Sequence, residues 1–286
     1  MQDQASSLRQ LKKLFDRQAV EPLPSPDFFL ASIPRPTPFT SILIIAPDKV
    51  GSRFSPLQQW LPGFLRSGRS PTIWDQAGLL SARMAALEER DGDPSLPSRH
   101  LVEWSSGPVW LIPRIETFSD LVRQADAIRI RFSKVLNGLL SNMTSLWVTL
   151  SQNELSSCAS LMHAVDIAII LVPQESESIL RSYETVKTLH IAGFFAPILL
   201  LPESSLEDPT GMIMFDRIRN VAKQFLALDL LSGGVLPSDN PSPDVETVAR
   251  LHGIIDSIES YSRRFLYSFA ERLLYPSPKD GVEKHV

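Results

Sequence analysis

Apolar residues in this chain cluster in two kinds of run. Ser41-Ile42-Leu43-Ile44-Ile45-Ala46 is almost continuously apolar and follows a proline-rich stretch, as expected of a strand covered on both faces in a parallel sheet. Similar short runs recur at 71–74, 108–112, 146–150, 166–172 and 197–201. Between them, stretches at 56–65, 118–140, 175–190 and 211–226 carry apolar residues at helical spacing. Strand and helix in alternation predict an α/β fold with a doubly wound, mostly parallel sheet.

Both flanks of this body carry further patterns. Over 3–18, Ala5, Leu8, Leu11, Leu14 and Phe15 fall on one side of a helix, Arg9, Lys12, Lys13 and Arg17 fill the other sides, and Asp3 stands at the N-cap. Such a helix either packs on its own domain or docks into a partner's groove. Pro22, Pro24, Pro26, Pro34, Pro36 and Pro38 follow, a density that forbids helix and favours an extended tether. Near the other end, Ile254, Ile255, Ile258, Tyr261, Phe265, Phe269 and Leu273 recur at helical spacing. The expected organisation is an amphipathic helix at 1–20, a linker at 21–40, a domain at 41–275 that closes on a helix over 251–275, and a polar tail at 276–286.

Composition narrows the choices. A chain of 286 residues with 43% hydrophobic content can bury one large α/β core. The net charge of -4, without a Lys/Arg cluster interleaved with aromatics, argues against nucleic acid as a partner. A single cysteine, Cys158, excludes an intrachain disulfide and fits a reducing compartment. With no membrane-length apolar run and no secretory leader pattern, a cytoplasmic protein is expected. His100, His163, His190, His252 and His285 are scattered without zinc-ligand spacing, so no metal site is expected. Cys158 and His163 fall on different faces of a helix and do not form a nucleophile pair, which leaves Cys158 as a small buried residue.

Asp3-Gln4-Ala5-Ser6-Ser7-Leu8-Arg9 resembles the activator helix Asp-Gln-Ala-x-x-Leu-Arg of the FlhG (FleN) flagellar-number regulators. These are MinD and ParA relatives, and their activator helix stimulates the signal-recognition-type GTPase FlhF. Later stretches carry the same resemblance. Thr72-Ile73-Trp74-Asp75-Gln76-Ala77-Gly78-Leu79-Leu80 is similar to the family's Leu-Leu-Asp-Ala-Asp-x-Gly-Leu, and Gly107-Pro108-Val109-Trp110-Leu111-Ile112-Pro113 to its Gly-x-x-x-Leu-Pro strand. Ala164-Val165-Asp166, continuing through Pro173-Gln174-Glu175, resembles the family's Ala-Asp-x-x-x-x-Val-x-x-Pro-Glu. The run Met214-Phe215-Asp216-Arg217-Ile218-Arg219-Asn220 and the turn around Gly233, Gly234 and Pro237 resemble the flagellar branch.

The chemical markers depart from that family. Where it has the phosphate loop Lys-Gly-Gly-x-Gly-Lys-Thr, this chain reads Pro47-Asp48-Lys49-Val50-Gly51-Ser52-Arg53. The signature lysine falls on Pro47, two glycines on Asp48 and Lys49, the P-loop lysine on Ser52 and the magnesium-binding threonine on Arg53. Lys49 and Arg53 read either as replacement phosphate ligands or as solvated loop charges. Asp75 matches the first family aspartate, and the second, associated with hydrolysis, has no counterpart. No acid ends Ser145-Leu146-Trp147-Val148-Thr149-Leu150-Ser151-Gln152, and Glu154 reads as a displaced metal ligand or as a residue serving a helix N-terminus. The asparagine expected near an adenine is missing after Leu201-Pro202.

Phosphoryl transfer depends on these charge-compensating groups. The resemblance therefore implies a pseudo-ATPase without ATP or magnesium, and, with Pro47 in place of the signature lysine, a monomer. It also implies an FlhF-type GTPase as partner, engaged by Asp3, Gln4, Ala5, Leu8, Arg9, Leu11 and Lys12. Gln4 would order the attacking water in the partner's site, since a carboxamide both donates and accepts. Recruitment to the cell pole or inner membrane face goes with that role. Two other readings stay open: a catalytically dead scaffold for a flagellar switch or regulatory protein, and a divergent ATPase using Lys49 and Glu154. The stripe at 251–275 packs on the sheet, or Phe265, Leu266, Phe269 and Leu273 rest on a membrane surface.

Overall fold

A computed structural model describes residues 40–46, 61, 65, 71–80, 97–104, 107–115, 118, 121, 124–140, 143, 145–175, 177–205, 208–237, 249–250 and 253–255. The expected helix at 1–20, the linker, the loop at 47–53 and the surface contacts at Phe265, Leu266, Phe269 and Leu273 lie outside the described residues.

The strands are β1 (Thr40–Ala46), β2 (Thr72–Asp75), β3 (His100–Trp104), β4 (Gly107–Ile112), β5 (Ser145–Ser151), β6 (Ile167–Val172), β7 (Ile198–Ser204), β8 (Leu231–Ser232) and β9 (Leu236–Pro237). They form one sheet in the order β3-β4-β2-β5-β1-β6-β7-β8, with β9 also on β7. Every pairing is parallel except β3 with β4. Helices α1 (Asp126–Leu140), α2 (Ala159–Met162), α3 (Ser178–Ile191) and α4 (Thr210–Leu226) connect them.

β1 is the centre of the sheet because its side chains serve two cores. Leu43 and Ile45 belong to the apolar layer that includes Phe132 of α1, Val186 of α3 and Ile218 of α4. Ile42, Ile44 and Ala46 face the opposite layer, with Leu61, Ile73 and Ile255. A period of two thus places the single run 42–46 in both layers, which explains why it lacks polar alternation. At the start of β1 a polar staple fixes its register to β6. The Ser41 amide and hydroxyl donate to Asp166 Oδ2 at 2.8 and 2.7 Å, and the Asp166 amide donates back to the Ser41 carbonyl at 2.9 Å.

Two differences from the sequence pattern have physical causes. The helix expected over 118–140 begins at Asp126. Ahead of it, Phe118 and Leu121 are buried in the core, with Phe118 edge-on to Trp74 at 5.5 Å between ring centroids. Gln76 ties this segment down as a backbone strand would: its Oε1 accepts from the Ile115 amide and its Nε2 donates to the Ile115 carbonyl, both at 3.1 Å. The second difference is β3, an antiparallel edge strand beside β4. Arg99, just before it, lies over the Trp110 ring at 4.1 Å and donates to the Leu139 carbonyl at 2.9 Å. That cation meets the last turn of α1, which has no basic residue of its own.

The start of α4 is set by Asp208-Pro209-Thr210. Asp208 Oδ1 accepts from the Thr210 amide at 2.9 Å and its hydroxyl at 2.6 Å, and Pro209 opens the helix with its φ already suited. The Thr210 hydroxyl, then the Thr210 amide, holds the Asp208 carboxyl below the usual carboxylate range.

Candidate functional site at the carboxyl rim of the sheet

The chain leaves β1 toward β2 on one side and leaves β6 toward β7 on the other, so the connections diverge between the neighbouring strands β1 and β6. Such a switch point opens a crevice beyond the carboxyl ends of the strands, where doubly wound folds place ligands. Here the crevice is lined by Ile45 and Ala46 of β1, Ile170 and Leu171 of β6, Gln152 after β5, and the α3 residues Ser178, Arg181, Ser182 and Thr185.

Much of the polar chemistry at this rim is directed back into the protein. Gln152 Nε2 donates to the Arg181 carbonyl at 3.0 Å and docks the end of β5 onto α3. The Thr185 hydroxyl donates to the same carbonyl at 3.0 Å. The Arg181 guanidinium pairs with Glu177 at 2.5 Å. Ser151, the last residue of β5 and level with Ala46 in register, donates to Glu154 Oε2 through its hydroxyl at 2.8 Å and its amide at 3.2 Å. Glu154 Oε1 in turn pairs with Arg114 at 3.1 Å. The carboxylate caps the short turn Gln152–Glu154, the arrangement in which an acid three residues on binds the N-cap amide.

Asp75 ends β2, and it too is committed. Its Oδ1 accepts from the Leu79 amide at 2.9 Å and the Thr149 hydroxyl at 2.8 Å, while Oδ2 accepts from the Leu80 amide at 2.8 Å. The side chain is 1% exposed. Burial pushes its carboxyl above the usual carboxylate range, against the Leu80 amide, the Thr149 hydroxyl, the Leu79 amide and the charge of Arg114. Gly78 supplies the positive φ of 71° that this tight turn requires. Asp75 therefore builds the 76–80 turn and ties it to β5.

Cys158 sits at the N-cap of α2 and is buried. Burial, then the neighbouring charge of Glu154, pushes its thiol up to about 12, which keeps it protonated and unreactive near neutral pH. Among the described residues no group of three His, Cys, Asp or Glu is arranged to hold a metal ion, and no helix is long and apolar enough to cross a membrane.

Of the residues singled out in the sequence, the structure brings Asp75 and Glu154 to the same rim; both are linked to β5, Asp75 through Thr149 and Glu154 through Ser151. Arg114, Gln76 and Gln152 match no fixed letter of those motifs, yet they organise this rim. Their common signal is position, since each is a long polar side chain just past the end of a parallel strand.

Neither a protein-family model nor a curated protein sequence matches the chain. Among solved structures it is similar to a chain of the MinC:MinD cell division protein complex of Aquifex aeolicus, with 16% identity, 83% of this chain and 97% of that one covered, and a TM-score of 0.48. A plasmid partition protein from Borrelia burgdorferi is similar at 14% identity, covering 75% and 97% of the two chains with a TM-score of 0.47. The pNOB8 ParA bound to nonspecific DNA is similar at 10% identity, covering 83% and 100%, with a TM-score of 0.47.

Proposed function

We propose that the chain is a non-hydrolysing regulator of the MinD/FlhG type, which stimulates an FlhF-type GTPase through residues 3–9 and so controls flagellar number or placement. The activator role is supported by the sequence Asp3-Gln4-Ala5-Ser6-Ser7-Leu8-Arg9 set ahead of a proline-rich tether. The observation that carries the non-hydrolysing part is the state of Glu154. It is the first acid after β5, and its two oxygens engage Ser151 and Arg114, so offering it to a metal would break a cap and an ion pair together. A neutral Ser151 at the end of β5 and Pro47 beyond β1 point the same way.

On this reading, Gln4 reaches the partner's catalytic water and Ala5 and Leu8 pack against the partner. Calorimetry with ATP and magnesium is expected to show no binding, and micromolar affinity would overturn the pseudo-ATPase reading in favour of a divergent ATPase. Peptide 1–20 is expected to raise GTP turnover by the partner, and Gln4→Ala to abolish the effect. Unchanged stimulation by Gln4→Ala removes Gln4 from the mechanism. A partner retained after deletion of residues 1–20 favours a scaffold.

A further inference from the structure

The amino rim of the sheet, opposite the crevice, carries an apolar patch. α3 and α4 return antiparallel to the strands, so their last turns and the starts of β7 and β8 meet at this rim. Ile191 ends α3 and is 71% exposed, Phe195 in the connection to β7 is 92% exposed, Phe225 in the last turn of α4 is 66% exposed, and Leu231 opens β8 at 39%. Large apolar side chains this exposed and set at one rim mark a candidate docking surface.

The path of the chain says what is within reach. β1 begins at Thr40 on this same rim, with only β6 and β7 between it and β8, a separation of about 14 Å at the usual strand spacing. Residues 21–39 precede it, and a proline-rich stretch of that length spans up to about 60 Å. Residues 3–18 carry Ala5, Leu8, Leu11, Leu14 and Phe15 at helical spacing, an apolar stripe of the kind that packs on an apolar surface. A tether of this length holds the stripe at an effective concentration on the order of millimolar, so even a weak contact is populated.

We propose that the amphipathic segment 3–18 folds back onto the rim formed by Ile191, Phe195, Phe225 and Leu231 and is held there in cis until a partner displaces it. The contact itself rests on the patch, the chain path and the helical stripe. Its regulatory consequence rests on the activator reading above: the face that enters the partner is the face that is covered, so stimulation requires release.

The test uses the full chain with Ser6→Cys carrying a nitroxide; the buried, protonated thiol of Cys158 escapes labelling. Methyl resonances of Ile191 and Leu231 are expected to broaden, while that of Leu101, exposed on β3 at the opposite edge of the sheet, stays sharp. The double variant Phe195→Asp/Phe225→Asp changes two exposed side chains and is expected to restore the rim signals. No broadening at the rim, or broadening that survives the double variant, overturns the proposal. Mixing spin-labelled chain with isotope-labelled, unlabelled-spin chain identifies a second copy as the occupant if broadening persists there, which also overturns it. In a GTPase assay the double variant is expected to stimulate the partner at lower concentration than the wild-type chain. If neither stimulates while the rim is broadened in cis, the activator reading fails and the fold-back contact stands.

Discussion

The Thr149 hydroxyl donates to Asp75 Oδ1 at 2.8 Å across the β5–β2 pair, and the hydroxyl oxygen, Thr149 Oγ1, accepts from the Ala77 amide at 3.1 Å. One hydroxyl therefore joins a buried carboxylate to the turn that follows it. Thr149→Val keeps the shape but withdraws a donor from a buried acid and one of the two acceptors of the Ala77 amide, which keeps the Thr149 carbonyl at 3.1 Å, and is expected to cost about 1–3 kcal/mol. Thr149→Ser keeps the hydroxyl and loses only a methyl group. Urea midpoints measured side by side check the ordering; if valine is tolerated as well as serine, the hydroxyl does not hold the turn.

Asp75 adds a pH dependence of definite sign. Burial raises its folded pKa above the ordinary value of 3.8. In the interval between the two values the folded chain keeps a proton that the unfolded chain has released, so the contribution is fully present below 3.8 and is lost as pH rises through the folded pKa. Asp75→Asn is expected to flatten that part of the stability profile. It also sets an amide N–H against the Leu79 or Leu80 amide, at a cost of about 1–3 kcal/mol. Denaturation of both proteins from acid to neutral pH measures the difference, and parallel profiles would remove Asp75 as the titrating group.

These two residues also show what was readable in advance. The run 42–46 announced a doubly covered central strand because every position there meets a core, and each of the other anticipated strands lies within a few residues of its expected place. β3 was hidden because His100-Leu101-Val102-Glu103-Trp104 is short and mixed, and an antiparallel edge depends on the partner β4 rather than on its own burial. The helix start at Asp126 is hidden because Gln76, far away in sequence, spends its carboxamide on Ile115, while Phe118 and Leu121 are buried in the core, Phe118 against Trp74. At the rim, Asp75 and Glu154 stand out in the sequence as acids beside strand ends, but the partners of their oxygens, Leu79, Leu80 and Ser151 nearby in the chain and Thr149 and Arg114 from distant segments, are brought together only by the fold.

Two glycines are expected to respond oppositely to alanine. At Gly233 an added Cβ would stand 2.9 Å from Leu199 Cδ2, 3.0 Å from Leu201 Cδ1 and 3.2 Å from the Leu200 carbonyl oxygen. The Gly233 amide also donates to that carbonyl at 2.9 Å, which fixes the backbone close to β7. Gly233→Ala is expected to destabilise by about 1–3 kcal/mol through overpacking. At Gly138, inside α1, nothing lies within 4 Å of the new atom. Gly138→Ala should therefore stabilise the helix by about 0.5–1 kcal/mol. Thermal unfolding of the pair decides the matter: a Gly233→Ala chain as stable as wild type would contradict the packing at β7, and a destabilised Gly138→Ala chain the open space at Gly138.

Cys158 provides a probe of the whole fold. Its thiol, raised to about 12 from an ordinary 9.0, stays protonated in the native state at pH 8 to 9, where an unfolded cysteine is partly thiolate. Alkylation by iodoacetamide is thus expected to be slow in native buffer and rapid in denaturant, with the native rate following the population of opened molecules. The linkage has the same origin: the raised thiol contributes stability below pH 9 that is lost as pH rises from 9 toward 12, because the unfolded chain gives up the proton first. Cys158→Ala removes this loss while leaving a small void beside Glu154's turn, so its stability should fall below wild type at neutral pH and converge with it in strong alkali. A native alkylation rate equal to that in denaturant would mean that α2 does not bury its N-cap, and the environment assigned to Cys158 would be wrong.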